Sequence, residues 1–294
     1  MHALLLIAAL LLAACQSTQP LPAWQSSEDL DHPDLGSIID LRSGKQLTPG
    51  QLLDELEHAE RLLIGERHDN PDHHALQLWL LESLAQRREQ GSLLMEMLKP
   101  EQQAKVEAAK AAIARGEAPA DLPAALDWQK GWTWSLYGPL VEYALAQPFP
   151  LLNANLDGAE ISTIYREKPQ VSGLPAAAKV QDRLFAQIRD SHCDMLPESQ
   201  VPAMLAVQQQ RDLRMAERLD AAPKPTMLLA GIFHVRRDLG APLHLRAQPD
   251  EGSRVLILAE AGERFGAEQG DFVWYTPAQP PQDYCAGFRE MKAR

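Results

Sequence analysis

The chain is poor in the residues from which common catalytic sites are built. It has three cysteines and no Cys-x-x-Cys pair, so a thiolate zinc site is excluded. There is no His-Glu-x-x-His helix, no Gly-x-Ser-x-Gly nucleophile elbow and no phosphate-binding glycine loop. Positive charge is also scarce: 28 Lys and Arg stand against 40 Asp and Glu, a net charge of −12. A nucleic-acid partner needs a basic footprint, and this balance argues against one. No internal repeat stands out. The apolar run from Ala3 to Ala14 is too short to cross a bilayer permanently.

That run does have the length and small-residue end of a secretory signal. Leu12-Ala13-Ala14-Cys15 resembles a bacterial lipobox, in which cleavage leaves the cysteine first and lipidated. The start departs from the pattern, offering His2 but no Lys or Arg, and a plain signal peptide is the alternative. Gln16 follows the cysteine, and the resemblance then implies a lipid anchor on Cys15 at the outer membrane, on a face the sequence does not specify. The expected layout is a signal over residues 1–14, a polar, Pro-rich tether over 15–33, a main domain over 34–247 and C-terminal strands over 248–294 belonging to the same domain. Hydrophobic residues make up 45% of the chain, enough for a real core. Cys193 and Cys285 remain; an oxidising compartment permits them to pair, and the sequence leaves the pairing open.

Apolar runs at 61–65, 92–98, 149–152, 226–231, 254–260 and 272–275 read as strands, and the stretches between several of them carry helical spacing. Strands alternating with helices imply an α/β fold with a mainly parallel sheet. Asn70-Pro71 has the form of an N-cap followed by a proline at the first helical position. In such sheets functional groups gather beyond the carboxyl ends of the strands. Glu66, His68 and His234 lie just past expected strands, and Glu96 near the end of one.

Two tetrads, Gly65-Glu66-Arg67-His68 and Gly231-Ile232-Phe233-His234, share the form Gly-x-x-His after a strand. Imidazole and carboxylate together suit a divalent metal or general acid–base work; capping and ion pairing at loop starts is the structural alternative. Adjacent His73 and His74 diverge on a helix and are expected at the surface or rim. Tyr137 is either a packed aromatic or, as a phenolate, a holder of ferric haem iron. Trp128, Trp132 and Trp134 stand nearby as a candidate porphyrin face.

The segments LLIGERHDNPDHH, LLMEM, Tyr137-Gly138-Pro139-Leu140, Ala154-Asn155-Leu156, Asp190-Ser191-His192-Cys193, Gln210 to Ala216 and LLAGIFHVRRDLGAPLHL, in this order, resemble the ChaN-like (PhuW-type) haem-uptake lipoproteins of the wider Tiki/TraB-like superfamily. The resemblance implies an α/β fold with a helical subdomain, and a lipid-anchored protein of iron acquisition that binds haem (iron protoporphyrin IX) rather than an enzyme. It implies two haems face to face in a homodimer, with a tyrosine on each iron and histidine and basic side chains on the propionates. An outer-membrane haem receptor is the implied further partner. Those roles map onto Tyr137 for the iron, His192 for the histidine, and Lys168 or Arg211 for the basic residue. The same superfamily contains metal-dependent peptidases, so the alternative is a hydrolase using a divalent metal at Glu66, His68, Glu96 and His234.

Overall fold

The computed structural model describes residues 19–246, 252–286 and 289. The expected signal and Cys15 lie outside them. Eight described strands form one sheet: β1 (Ile38–Asp40), β2 (Gln46–Leu47), β3 (Arg61–Glu66), β4 (Ser92–Met95), β5 (Leu151–Asn153), β6 (Thr226–Gly231), β7 (Ser253–Glu260) and β8 (Phe272–Thr276). Their spatial order is β2-β1-β8-β7-β3-β6-β4-β5. From β8 to β5 every neighbouring pair is parallel, whereas β1 is antiparallel to both β2 and β8. The C-terminal strands thus enter the middle of the same sheet. The antiparallel β1–β2 edge was not expected, because strands this short carry no readable periodicity.

Around the sheet lie α1 (Pro49–Leu56), α2 (Pro71–Ala85), α3 (Gln103–Ala114), α4 (Leu122–Ala125), α5 (Trp134–Ala146), α6 (Gly158–Glu167), α7 (Ala178–Ser191), α8 (Val201–Ala221) and α9 (Ile232–Val235). Side chains alternate between the sheet's two faces. Leu62, Ile64, Met227 and Leu229 meet residues of α1, α2, α3 and α5. Leu63, Leu228 and Ala230 meet Met215, Ala216 and Leu219 of α8. Leu184, Ile188, Val201, Leu205 and Leu239 form a separate apolar cluster, which is the core of the helical subdomain. No described helix is long and apolar enough to cross a membrane.

The described part of the expected tether is not loose. The Trp79 indole N–H donates to the Gln19 carbonyl at 3.0 Å, and Trp24 packs against the main core. The backbone N–H groups of Gln25 and Ser26 donate to the two oxygens of buried Asp72 at 2.7 and 2.9 Å. Polar, Pro-rich composition suggested a spacer; the partners supplied by α2 fix it instead.

The register places the strand ends side by side. Glu66 pairs with Gly231 across β3–β6, and Met95 with Leu229 across β4–β6, so Glu96 follows at the same rim. Gly65 permits a close approach here: a Cβ on it would lie 2.4 Å from Val235 Cγ2 and 3.0 Å from the Ile232 Cα. Gly65→Ala should therefore destabilise the fold by about 1–3 kcal/mol, as overpacking does. Thermal unfolding followed by circular dichroism should show a drop of several degrees; an unchanged midpoint would mean that the strand–α9 packing is not tight.

Candidate functional site

Two carboxylate–imidazole clusters occupy the carboxyl ends of β3, β4 and β6. In the first, the Tyr137 hydroxyl donates to Glu66 Oε1 at 2.9 Å, and His68 Nδ1 donates to the same oxygen at 2.8 Å. His74 Nε2 lies 3.3 Å from Glu66 Oε2 and 3.1 Å from the His68 carbonyl. In the second, His234 Nδ1 lies 2.5 Å from Asp212 Oδ1, and its Nε2 3.4 Å from Glu96 Oε1. Glu96 Oε2 also accepts the Gly231 N–H at 2.9 Å, and Asn155 holds the Glu96 carbonyl at 2.8 Å. Gly231 stands between the clusters: a Cβ there would be 3.0 Å from His68 Nε2 and 3.7 Å from Glu96 Oε2.

Local sequence explains the placement. Asn70 caps α2 by accepting the N–H groups of Asp72 and His73, as its Asn-Pro form suggested. Asp212 and Gln208 are four apart on α8, hence on one face, and both reach His234 Nδ1. The four residues expected at the rim, Glu66, His68, Glu96 and His234, are thus brought together. Glu66, Glu96 and His234 are buried, and only the His68 side chain is substantially open, at 43% exposure.

Burial alone would lower the imidazolium pKa values of His68 and His234. Glu66 outweighs it at His68, and Glu96 with Asp212 at His234, and both are raised to about 9. Burial pushes Asp212 up to about 6 in spite of His234. Glu96 moves down, because His234 and the neighbouring cations overcome its burial. The Tyr137 phenol is held far above its ordinary value by burial and by Glu66.

Several expected roles meet a different setting. Tyr137 is 1% exposed, its ring packed edge-on against His74 and Trp132 and its hydroxyl committed to Glu66. Its oxygen also lies 3.3 Å from His68 Nδ1, at the inner side of the half-open imidazole. Trp132 packs against His68 with ring centroids 4.9 Å apart, and Trp128 against Trp134; the tryptophans wall in Tyr137 rather than forming one flat face. His73 and His74 are buried and not at the surface, because α2 is enclosed on several sides. His73 accepts the Arg67 N–H at 2.9 Å and meets the Thr276 hydroxyl at 3.1 Å, and burial keeps it neutral, well below its ordinary pKa. Arg211 acts electrostatically on Glu96 and Asp212, and its buried Nε has no hydrogen-bond partner among the described residues. Lys168 caps α6 in the left-handed conformation and is exposed, with no contact to the rim in evidence. His192 ends α7, with Nδ1 2.7 Å from the Ile188 carbonyl.

Among the described residues no group of three or more His, Cys, Asp or Glu side chains is placed to hold a metal ion. The donor atoms face one another in ion pairs, so the divalent-metal alternative gains no support. For haem the donor set fits better: half-open His68 beside the Tyr137 hydroxyl, with the exposed aromatic rings of Phe233 (39%) and Tyr284 (61%), suits an iron porphyrin. Sequence reading missed Asp212 and Tyr284. Asp212 sits in a segment of helical spacing with no strand end nearby to mark it. Tyr284 reaches the rim through Asp69 and the Cys193–Cys285 disulfide, whose Cα atoms are 5.8 Å apart.

A family model described as haem-binding uptake, Tiki superfamily, ChaN matches residues 52–245. A solved structure of ChaN from Campylobacter jejuni, described as binding haem cofacially, is 26% identical with a TM-score of 0.72, covering 81% of this chain and 95% of that one. A succinoglycan biosynthesis protein is 11% identical with a TM-score of 0.46, covering 77% of this chain and 90% of that one, and no argument rests on it. None of the curated proteins compared with the chain matches it.

His234 links the site to stability. Its folded pKa of about 9 lies above the ordinary 6.5, so its stabilising contribution is complete below pH 6.5 and is lost as pH rises through 9. The unfolding midpoint should fall over that window, and His234→Gln should flatten the fall. An equal fall in the variant would show that another group carries it.

Proposed function

The chain belongs to the ChaN family of haem-binding uptake proteins in the Tiki superfamily, and on that premise we propose that it binds haem at the rim around His68 in the service of iron acquisition. The observation that carries this reading is the likeness to a solved protein that binds haem cofacially, over most of both chains. Haem supplies the iron chemistry, and the protein supplies ligation, orientation and shielding.

A tyrosinate ligand on the iron, and a homodimer that encloses the haem between two rims, complete the reading. A single rim leaves His68, Phe233 and Tyr284 open to solvent, and a second copy would cover them. Arg211 and His192 are the proposed propionate partners, and Lys168 the outlying candidate. Tyr137 is the proposed iron ligand; its hydroxyl is bonded to Glu66, which also holds the His68 ring. A lipid on Cys15 would hold the protein at the outer membrane, where a haem receptor is the proposed partner.

Titration of the mature protein with haemin should produce a Soret band, and sedimentation should show haem-dependent dimers. Tyr137→Phe should weaken the band and lower affinity by at least about tenfold. Unchanged binding in that variant, with the fold intact, would remove Tyr137 as the ligand. Separately, Cys15→Ala should move the protein from the membrane to the soluble fraction; retention in membranes would remove the anchor.

A further inference from the structure

Tyr137 cannot meet a ligand without movement. It is 1% exposed, and its hydroxyl is bonded to Glu66 and lies 3.3 Å from His68 Nδ1. Trp132 packs against both the His68 and the Tyr137 rings. The His68 ring beside that hydroxyl is carried by residues 67–69, the link between β3 and α2. Both ends of the link are fixed. Glu66 ends a central strand, and Asn70 caps α2 while donating to Glu260 Oε1 and to the Pro277 carbonyl, both at 3.1 Å. The link between them is the part that can swing and uncover the hydroxyl.

The outer side of the link is tied down. Arg67 pairs with Glu263 at 2.5 Å and with Glu260 at 3.4 Å. Asp69 accepts the Tyr284 hydroxyl. Tyr284 is exposed and lies in a turn, which by itself would leave the ring many positions. The chain holds it on both sides. The next residue, Cys285, is bonded to Cys193, with Cα atoms 5.8 Å apart, and five residues earlier the Gln279 N–H donates to Glu260 Oε1 at 3.1 Å. Tyr284 and Cys285 lie past residue 245, where the family match ends.

We infer that residues 67–69 form a gate over Tyr137, and that Tyr284, pinned by the Cys193–Cys285 disulfide, latches the gate shut through Asp69. The inference rests on the haem reading of the site, with Tyr137 on the iron. Closed, the gate keeps the Tyr137 hydroxyl on Glu66. Open, it lets the iron approach that oxygen. Haem then binds the open form alone, and the share of open molecules scales both uptake and affinity. Losing the latch should raise that share about fivefold, the worth of one modest hydrogen bond. Release is unaffected, because the bound state is already open.

The test follows haemin uptake by the whole mature protein with stopped-flow absorbance. Tyr284→Phe removes only the latch oxygen. It should speed uptake and tighten binding about fivefold, and leave the release rate and the bound spectrum as in the wild type. Asp69→Ala should do the same and add nothing to Tyr284→Phe. The Cys193→Ser/Cys285→Ser variant, shown folded by circular dichroism, should match Tyr284→Phe; wild-type uptake there would overturn the part given to the disulfide. Unchanged or slower uptake in Tyr284→Phe would overturn the latch. Amide exchange over residues 66–70 in the haem-free protein keeps this inference separate from the haem reading. Exchange should quicken in Tyr284→Phe, and unchanged exchange would sink the latch by itself. A wild type that takes up no haemin, or a Tyr137→Phe variant that binds it unchanged, would defeat the haem or ligand reading and the gate's role in uptake, while quickened exchange would leave the latch standing.

Discussion

Glu66 is a carboxylate taken almost wholly out of water at the end of a central strand, and much of the rim is arranged around it. Burying an ion costs several kcal/mol unless partners replace its water. Here the partners are the Tyr137 hydroxyl, the His68 ring and His74, drawn from α5, the loop after β3 and α2. The same logic holds Glu96 between His234 and the Gly231 N–H, with Asp212 behind the imidazole. Because each carboxylate binds elements from different parts of the chain, the network fixes where the helices end relative to the sheet. It also fixes which atoms face outward. His68 uses Nδ1 inward toward Glu66, and its Nε2 edge lies against Gly231.

The same wiring engages Tyr137, the residue expected on the iron, through its hydroxyl on Glu66. Burial and Glu66 hold that phenol in its protonated form, far above its ordinary pKa. Under the proposed function, the haem meets this network at the rim where the His68 side chain is half open. In that proposal a second subunit covers the haem on this open rim.

Much of this was legible in the sequence. Apolar runs ending at Gly65 and Gly231 marked parallel strands, and the topology of such sheets then gathered Glu66, His68, Glu96 and His234 at one end. What could not be read were properties set by distant partners. Helix α5 is apolar on most of its surface, so spacing alone does not say that Tyr137 turns inward. His73 and His74 looked like surface residues because neighbours on a helix diverge, but α2 is enclosed on both of the sides they take. The stretch 19–33 has the composition of a spacer and is held by Asp72 and Trp79 on α2. Tyr284 lacks any local signal, since its position depends on a pairing between Cys193 and Cys285 over 92 residues.

The central claim is that haem binds at the rim around this network. A crystal structure of the mature protein grown with haemin tests it most directly. The account predicts porphyrin density against His68, between two copies of the chain, with Tyr137 on the iron. Porphyrin density elsewhere on the molecule, or iron bonded to a residue other than Tyr137, would contradict it.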